Sequence, residues 1–345
     1  MTEQKRFRAR VVKTVAIAFG CVLVLGGAGT GWVYWHLDHN IRGIDIDSAL
    51  GDDRPARPVA AAASPTAAAS PSSEPVEKGV LNILVLGSDS RTGKANKALG
   101  GGDSGGARSD TAMVVHLDAD RTGGTVVSIP RDTLVERPSC PTESGGTTVV
   151  AYNVMFNSAY SVGGPVCAVK TVEHLTGVRM DHYLEVDFAG FAKIVDALGG
   201  VDVTTDEAID DDLSHLHLKA GDQHLDGAQA LAFARTRHGI GDGSDLGRIK
   251  LQQQLVKALI GKLSTDGLLT DPARLYKIAD AATGSLTADT GLDSLTELSG
   301  LARSVSELSA DSLKTVMMPV VQAPSDANRV VADEPEAGKL WKSLR

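Results

Sequence analysis

The stretch from Ala107 to Asp132 (ARSDTAMVVHLDADRTGGTVVSIPRD) carries Arg108 and Asp110 at one end and Arg131 and Asp132 at the other. Thr111 to Leu117 is β-branched and apolar and reads as a buried strand. Arg121, Thr122, Gly123 and Gly124 supply a turn, Thr125 to Ile129 returns, and Pro130 stops the second strand. Antiparallel pairing brings two arginines and two carboxylates to one end of a sheet, beside an apolar interior. Guanidinium forks match phosphate oxygens and carboxylates hold a divalent cation, so the pattern suits a phosphate group with a bound metal.

Further candidates lie at element ends. Arg235 and Arg237 alternate in a short extended piece, and Asp245, Arg248 and Gln252 share one face of a helix. A lone arginine of this kind is ordinarily a surface ion pair. Arg108, Arg131, Arg235, Arg237 and Arg248 together would repel one another unless a multiply charged anion sat between them. Asp89 follows a strand end and Asp110 begins a strand. The pair could hold Mg²⁺ against a diphosphate, although an aspartate after a strand also forms turns. His238 reads equally as a base or as a loop residue.

The sequence lacks HExxH, paired CxxC and the GxxxxGK[ST] loop, and the spellings GxSxG and GxGxxG occur only inside the Gly-rich run over residues 100–106, which reads as a flexible insertion, so zinc, an acyl-transfer serine and a nucleotide loop are disfavoured. A formal net charge of -9 and 4% aromatic residues argue against a nucleic-acid partner.

The elements that must position these residues follow an N-terminal extension. Residues 1–14 form a basic tail with Lys5, Arg6, Arg8, Arg10 and Lys13. Residues 15–35 are apolar over roughly 20 positions, the length of a bilayer span, and end on Trp32, Tyr34 and Trp35. With no small-residue cleavage site in evidence, the expectation is a single-pass anchor rather than a signal peptide, with a cytoplasmic N-terminus and everything later outside the cell. Residues 36–78, Ala-, Pro- and Ser-rich in their second half, are expected to be a disordered tether, with the folded domain over 79–345.

Strands are expected at Val80–Leu86, Asp181–Asp187, Val201–Thr204 and Leu313–Val321. Helices are expected at Asn153–Ser161, Gly164–Leu175, Phe188–Leu198, Leu225–Ala234, from Ser244 or Asp245 to about Leu263, at Pro272–Ala282 and at Leu292–Leu308. Ile249, Val256, Ile260 and Leu263 form the core face of the long one, and Asp206–Asp212 reads as an acidic loop. Interleaved strands and helices predict an α/β fold, an α-β-α sandwich with a central mixed sheet. Of the three cysteines, Cys21 lies in the apolar run. Cys140 and Cys167 share the outer domain and are expected to be bridged.

The pieces NILVLGSDSR, RSDTAMVVHLD, VVSIPRD, FNSAYSVGG, MDHYLEVDFAGF, IVDALGGVDV, GAQALAFARTRH and SDLGRIKLQQQ, in order over residues 80–263, resemble the LytR-CpsA-Psr family. The resemblance implies a phosphotransferase that moves a glycopolymer from a polyprenyl-diphosphate carrier onto peptidoglycan, with a lipid pocket enclosed by sheet and helices. It implies that Asp89 and Asp110 bind Mg²⁺ or Mn²⁺. It further implies that Arg108, Arg131, Arg235, Arg237 and Arg248, with Gln252, bind the pyrophosphate, and that Asp245 belongs to the same site. Asp110, Arg131 and Asp245 are the candidate catalytic residues.

Two departures stand out: Met155 where the family carries Lys, and Leu251-Gln252-Gln253 where it carries Arg-Gln-Gln, with Lys250 a candidate substitute cation. Val169, Val172 and Leu175 read as ordinary core or as pocket lining. The rival functions are a polyprenyl-diphosphate phosphatase and a non-catalytic wall-binding regulator.

Overall fold

The computed structural model describes residues 31–57, 79–88, 109–142, 145–237, 245–265, 271–306 and 308–345. In chain order, helix α1 covers residues 31–40. It is followed by β1 (Arg42–Ile44), α2 (Ile46–Leu50), β2 (Leu81–Ser88), β3 (Ser109–Leu117), β4 (Gly124–Ile129), β5 (Leu134–Arg137) and β6 (Ala151–Met155). Next come α3 (Asn157–Thr176), β7 (His182–Asp187), α4 (Phe188–Ala197), β8 (Val201–Thr205), β9 (Ile209–Asp211), β10 (Leu216–Leu218) and β11 (Gly221–Leu225). The remainder is α5 (Gly227–Arg235), α6 (Asp245–Thr265), α7 (Pro272–Thr283), β12 (Leu286–Asp289), α8 (Leu295–Ser306), β13 (Leu313–Met317), β14 (Val320–Ala323), β15 (Asp326–Ala332) and α9 (Glu336–Lys342).

Seven strands make the central sheet in the order β1-β12-β7-β2-β3-β4-β13. It is mixed: β2 runs parallel to β7 and antiparallel to β3, and β4 is antiparallel to β3 but parallel to β13. Strand periodicity then sorts the core. Leu84, Leu86, Ala112, Val114, Val127 and Ile129 face α3 and α9, where they meet Val169, Val172 and Trp341. The alternating positions Ile83, Val85, Met113, Val115 and Val126 face the other way, against Leu301 and Val305 of α8 and Val256 and Ile260 of α6. Helices therefore cover both faces, and the expected layered α/β architecture is present. A second apolar cluster, from Val201, Val203, Ile209, Leu216, Phe233 and Leu255, lies under α4, α5 and α6.

The folded unit begins earlier than composition predicts. Within the expected 36–78 tether, residues 36–57 carry the end of α1, then β1, which pairs in parallel with β12, then α2, which buries Ile46 and Leu50. Arg54 closes this segment onto α3: its Nε reaches both carboxylate oxygens of Glu173, at 3.1 and 3.0 Å, and the two side chains are each 2% exposed. Residues 58–78, most of the expected 15–35 span and the 1–14 tail lie outside the described residues, and among the described residues no helix is long and apolar enough to cross a membrane.

Four further expectations change. Asn153 to Met155 is strand rather than helix, because Val154 pairs with Val135 and Asn153 adopts a left-handed φ of 53°, which a helix does not accommodate. Asp206–Asp212 is only partly loop, since Ile209–Asp211 pairs with Leu216–Leu218. Leu313–Val321 splits in two around Pro319, which has no N–H to give a ladder. Leu263 is exposed, while Leu251 and Leu255 join the buried face of α6. Helix α3 bends where the sequence separates two helices, at Gly163 and at Gly164, whose φ is +62°.

Cys140 and Cys167 are bridged, with their Cα atoms 5.2 Å apart. The bond ties the β5–β6 connection to α3 beside Gly163, where an added Cβ would come within 2.7 Å of the Cβ of Cys167. Replacing both cysteines by serine should cost about 2–4 kcal/mol, because the cross-link restricts the unfolded chain. Denaturant unfolding of that variant beside the oxidised wild type measures it.

Candidate functional site

The site forms where β2, β4 and β7 end and β3 begins, the edge of an α/β sheet at which ligands usually bind. The β3–β4 hairpin brings Arg131 to Asp110, with Nη1 2.5 Å from Oδ1, and Arg131 Nε lies 3.7 Å from Asp132. Register explains the meeting: Ala112 pairs with Ile129, so the residues flanking the hairpin's open end emerge side by side. Asp132 is also 3.7 Å from Arg329 of β15.

Helix α6 approaches the same edge with one polar face. Arg248, buried to 4% exposure, donates from Nη2 to the backbone carbonyl of Asp110 at 3.2 Å. One turn on, Gln252 Nε2 donates to Thr111 Oγ1 at 3.0 Å and to the Ala234 carbonyl at 2.9 Å. These two side chains fix α6 against β3 and against the end of α5. Lys250 is exposed on the other side of the helix and is not among the cavity-lining residues, so it does not stand in for a missing cation of the cluster.

Arg235 occupies the last turn of α5, where the helix dipole favours a cation. Its guanidinium carbon lies 4.6 Å above the ring of Phe188, a cation–π contact that holds the charge over an apolar wall. The chain then turns extended at Thr236 and presents Arg237 to the same space.

Behind these charges is a cavity of about 310 Å³ lined by Asp110, Arg235, Arg237, Arg248 and Gln252 at its polar side and by Met113, Phe188, Phe191, Leu231, Val256 and Leu259, among others, elsewhere. Asp187, the N-cap of α4, also faces it. The sheet and helices α4, α5 and α6 thus enclose an apolar chamber with cations at one side. Of the residues expected here, Asp110, Arg131, Arg235, Arg237, Arg248 and Gln252 come together. Asp89, Arg108, His238 and the side chain of Asp245 lie outside the described residues. Val169 and Val172 do not line this chamber; they are buried on the opposite face of the sheet, in the core beneath α3. Met155 ends β6, which packs against β5 rather than against the cavity.

Asp211 is a positioning residue that the sequence hides. It reads as one of several acids in a loop, yet it is 2% exposed. Its Oδ1 accepts from the backbone N–H of Leu213 at 3.0 Å and of Ser214 at 3.3 Å. Its Oδ2 accepts from the N–H of Arg237 at 3.1 Å, and Ser214 Oγ lies 2.7 Å from Thr236 Oγ1. The β9–β10 turn thereby clamps the backbone that carries Arg237. Only its place between alternating apolar residues Ile209 and Leu216, both core, marks it out. Asp211→Ala should cost about 1–3 kcal/mol of stability by leaving buried N–H groups unmet, and should weaken anion binding at the cavity with it. Thermal melts, with and without inorganic pyrophosphate as a probe, follow both effects.

Taken as geometry, this is an α/β sandwich with a cluster of arginines at one side of an apolar chamber. The chain belongs to the LytR_cpsA_psr family, whose model matches residues 34–345. It is 36% identical over 285 residues to the probable cell wall biosynthesis protein LcpB of Corynebacterium glutamicum, covering 80% of this chain and 64% of LcpB. It is 31% identical over 275 residues to the polyisoprenyl-teichoic acid–peptidoglycan teichoic acid transferase TagV of Bacillus subtilis, covering 78% of this chain and 65% of TagV. The match therefore spans less than two thirds of the length of these curated relatives. The crystal structure of B. subtilis TagV superposes with a TM-score of 0.59 at 30% identity, over 78% of this chain and 97% of that one. The LytR-Csp2A-Psr enzyme from Actinomyces oris shares the fold, with a TM-score of 0.59 at 23% identity over 76% of this chain and 89% of that one.

Proposed function

We propose that the protein transfers a glycopolymer from a polyprenyl-diphosphate carrier to peptidoglycan, from the outer face of a membrane in which residues 15–35 anchor it. One observation carries the reading: Asp110, Arg235, Arg237, Arg248 and Gln252 line one apolar cavity, with Arg131 paired to Asp110 at its side, which matches a lipid diphosphate in charge and in greasiness at once. The relatives above, a teichoic acid transferase and a probable cell wall biosynthesis protein, point the same way.

In this reading the diphosphate lies among the arginines and the first isoprene units enter the chamber past Phe188 and Leu231. An acceptor hydroxyl attacks the sugar-proximal phosphorus, its bond to the bridging oxygen breaks, and polyprenyl phosphate leaves with that oxygen. The guanidinium groups offset the charge that develops on the phosphoryl oxygens, and they are already held in place before substrate arrives. Asp110 or Asp245 takes the proton of the acceptor hydroxyl.

Asp110 faces the cavity with hard oxygen donors of the kind that suits Mg²⁺, so the residues present fit a divalent ion, which Asp110 and Asp89 would hold. Such an ion would neutralise diphosphate charge and polarise the phosphoryl group.

Incubating the full chain with prenyl-diphosphate-linked oligosaccharide and peptidoglycan tests the proposal. Glycan joined to peptidoglycan through a phosphodiester supports it. Release of free phosphorylated glycan, with none joined, would make the protein a phosphatase instead.

A further inference from the structure

Helix α1 has two unlike faces. Toward the domain, Leu37 is buried and His36 Nε2 lies 3.1 Å from Asp280 Oδ1 of α7, to which Asn40 Nδ2 also donates at 3.4 Å. Asp38 Oδ1 accepts from the N–H of Leu295 at 2.8 Å and so caps α8, and Tyr34 Oη is 3.2 Å from Thr296 Oγ1. Five residues within two turns fasten the helix across α7 and α8. Away from the domain, Trp32 and Trp35 are 57% and 55% exposed. The two indoles are backed by His36 and His39, with ring centroids 5.2 and 4.5 Å apart, so they stand as ordered platforms rather than loose side chains.

Two indoles side by side on one solvent-facing patch need an amphipathic partner, one that takes an apolar ring and a polar edge together. The chain itself says which. The apolar run from Val15 ends on this helix, and Lys5, Arg6, Arg8, Arg10 and Lys13 precede that run. Aromatic residues in this position belong at the boundary between acyl chains and head groups.

We propose that the outer face of α1 lies in the head-group layer of the bilayer, so that the domain is held directly on the membrane through α7 and α8. Residues 58–78, the remainder of the expected 36–78 tether, are then not what sets the distance to the membrane, because the chain has already docked on the domain at α1, β1 and Arg54 before it reaches those residues. This proposal rests on the membrane-anchored reading given above.

The chain has three tryptophans, and the third, Trp341, is buried in the core. Trp341→Phe therefore leaves Trp32 and Trp35 as the only emitters. The full-length variant is reconstituted into phosphatidylglycerol–phosphatidylcholine vesicles whose phosphatidylcholine is brominated on the acyl carbons nearest the head group. Should the variant fold poorly, the wild type serves, with Trp341 as a constant unquenched background. The expected result is co-flotation with the vesicles, emission shifted to shorter wavelength and strongly quenched by bromine, and little quenching by aqueous acrylamide. Co-flotation with quenching by acrylamide but not by bromine would overturn the proposal while leaving the anchor standing. Protection from both quenchers would assign the patch to a second copy or another protein. Failure to float removes the anchor, and the proposal with it.

Discussion

Arg131→Ala is expected to lower kcat/KM for glycan transfer by about 10²–10³-fold, the usual loss when one preorganised donor to a developing oxyanion is removed. The size of the effect follows from where Arg131 sits. Its guanidinium is paired with Asp110 across the open end of the β3–β4 hairpin, and Arg248 reaches the backbone of the same aspartate. On the proposed function, deleting Arg131 removes a phosphate ligand; it also unpins the carboxylate that faces the cavity. Arg131→Lys keeps a charge but loses the planar fork, so it should recover only part of the rate. The fold should survive, since Arg131 lies beyond the last residue of β4 and outside the apolar clusters. Transfer assays on wild type and both variants, alongside circular dichroism, measure this. An alanine variant that transfers at the wild-type rate would remove Arg131 from the catalytic site.

Glu173→Gln should destabilise the domain by about 3–5 kcal/mol, the cost of stripping one partner from a buried ion pair. Glu173 meets Arg54 through both carboxylate oxygens and also accepts from the N–H of Met180 at 2.9 Å. Arg54 in turn donates from Nη2 to the Met180 carbonyl at 2.6 Å and pairs with Asp47. With Gln in place, the guanidinium keeps a dipole for company but no opposing buried charge at that position. The midpoint of thermal unfolding should fall by roughly 10 °C, from the usual proportion between free energy and melting temperature in domains of this size. The double variant Arg54→Met with Glu173→Leu should recover much of the loss, because two apolar groups do not leave a charge stranded. A double variant as unstable as the single one would show that the N-terminal segment needs the ionic geometry itself.

Much of this architecture was legible from the residues because its signals are local. The β3–β4 hairpin announces itself through two alternating apolar runs around a Gly-rich turn, and its register alone suffices to bring Asp110 to Arg131. Arg248 and Gln252 were legible as one helical face for the same reason, since a period of 3.6 residues fixes which side chains travel together.

The misses share a different cause. Strand β1 is only Arg-Gly-Ile, too short to show a period, and it exists because β12 offers it an edge. Arg54 and Glu173 are 119 residues apart, and no local pattern marks either as buried. Val169 and Val172 read as ordinary core or as pocket lining, because their apolar stripe is indistinguishable in sequence from that of α4, α5 and α6. Which stripe leaves room depends on how the two faces of the sheet are packed, and on the α3 side Val169 and Val172 pack into the core with Met180, which follows the helix.

The edge strand β1 has a consequence for how the protein is made. Arg42 to Ile44 can find their hydrogen-bonding partners only in Thr287 to Asp289, near the opposite terminus. Threading that contact closes a loop of more than 200 residues, the kind of distant pairing that slows folding. A chain that emerges N-terminus first must hold its first strand idle until Thr287 to Asp289 have followed, so this edge of the sheet closes late.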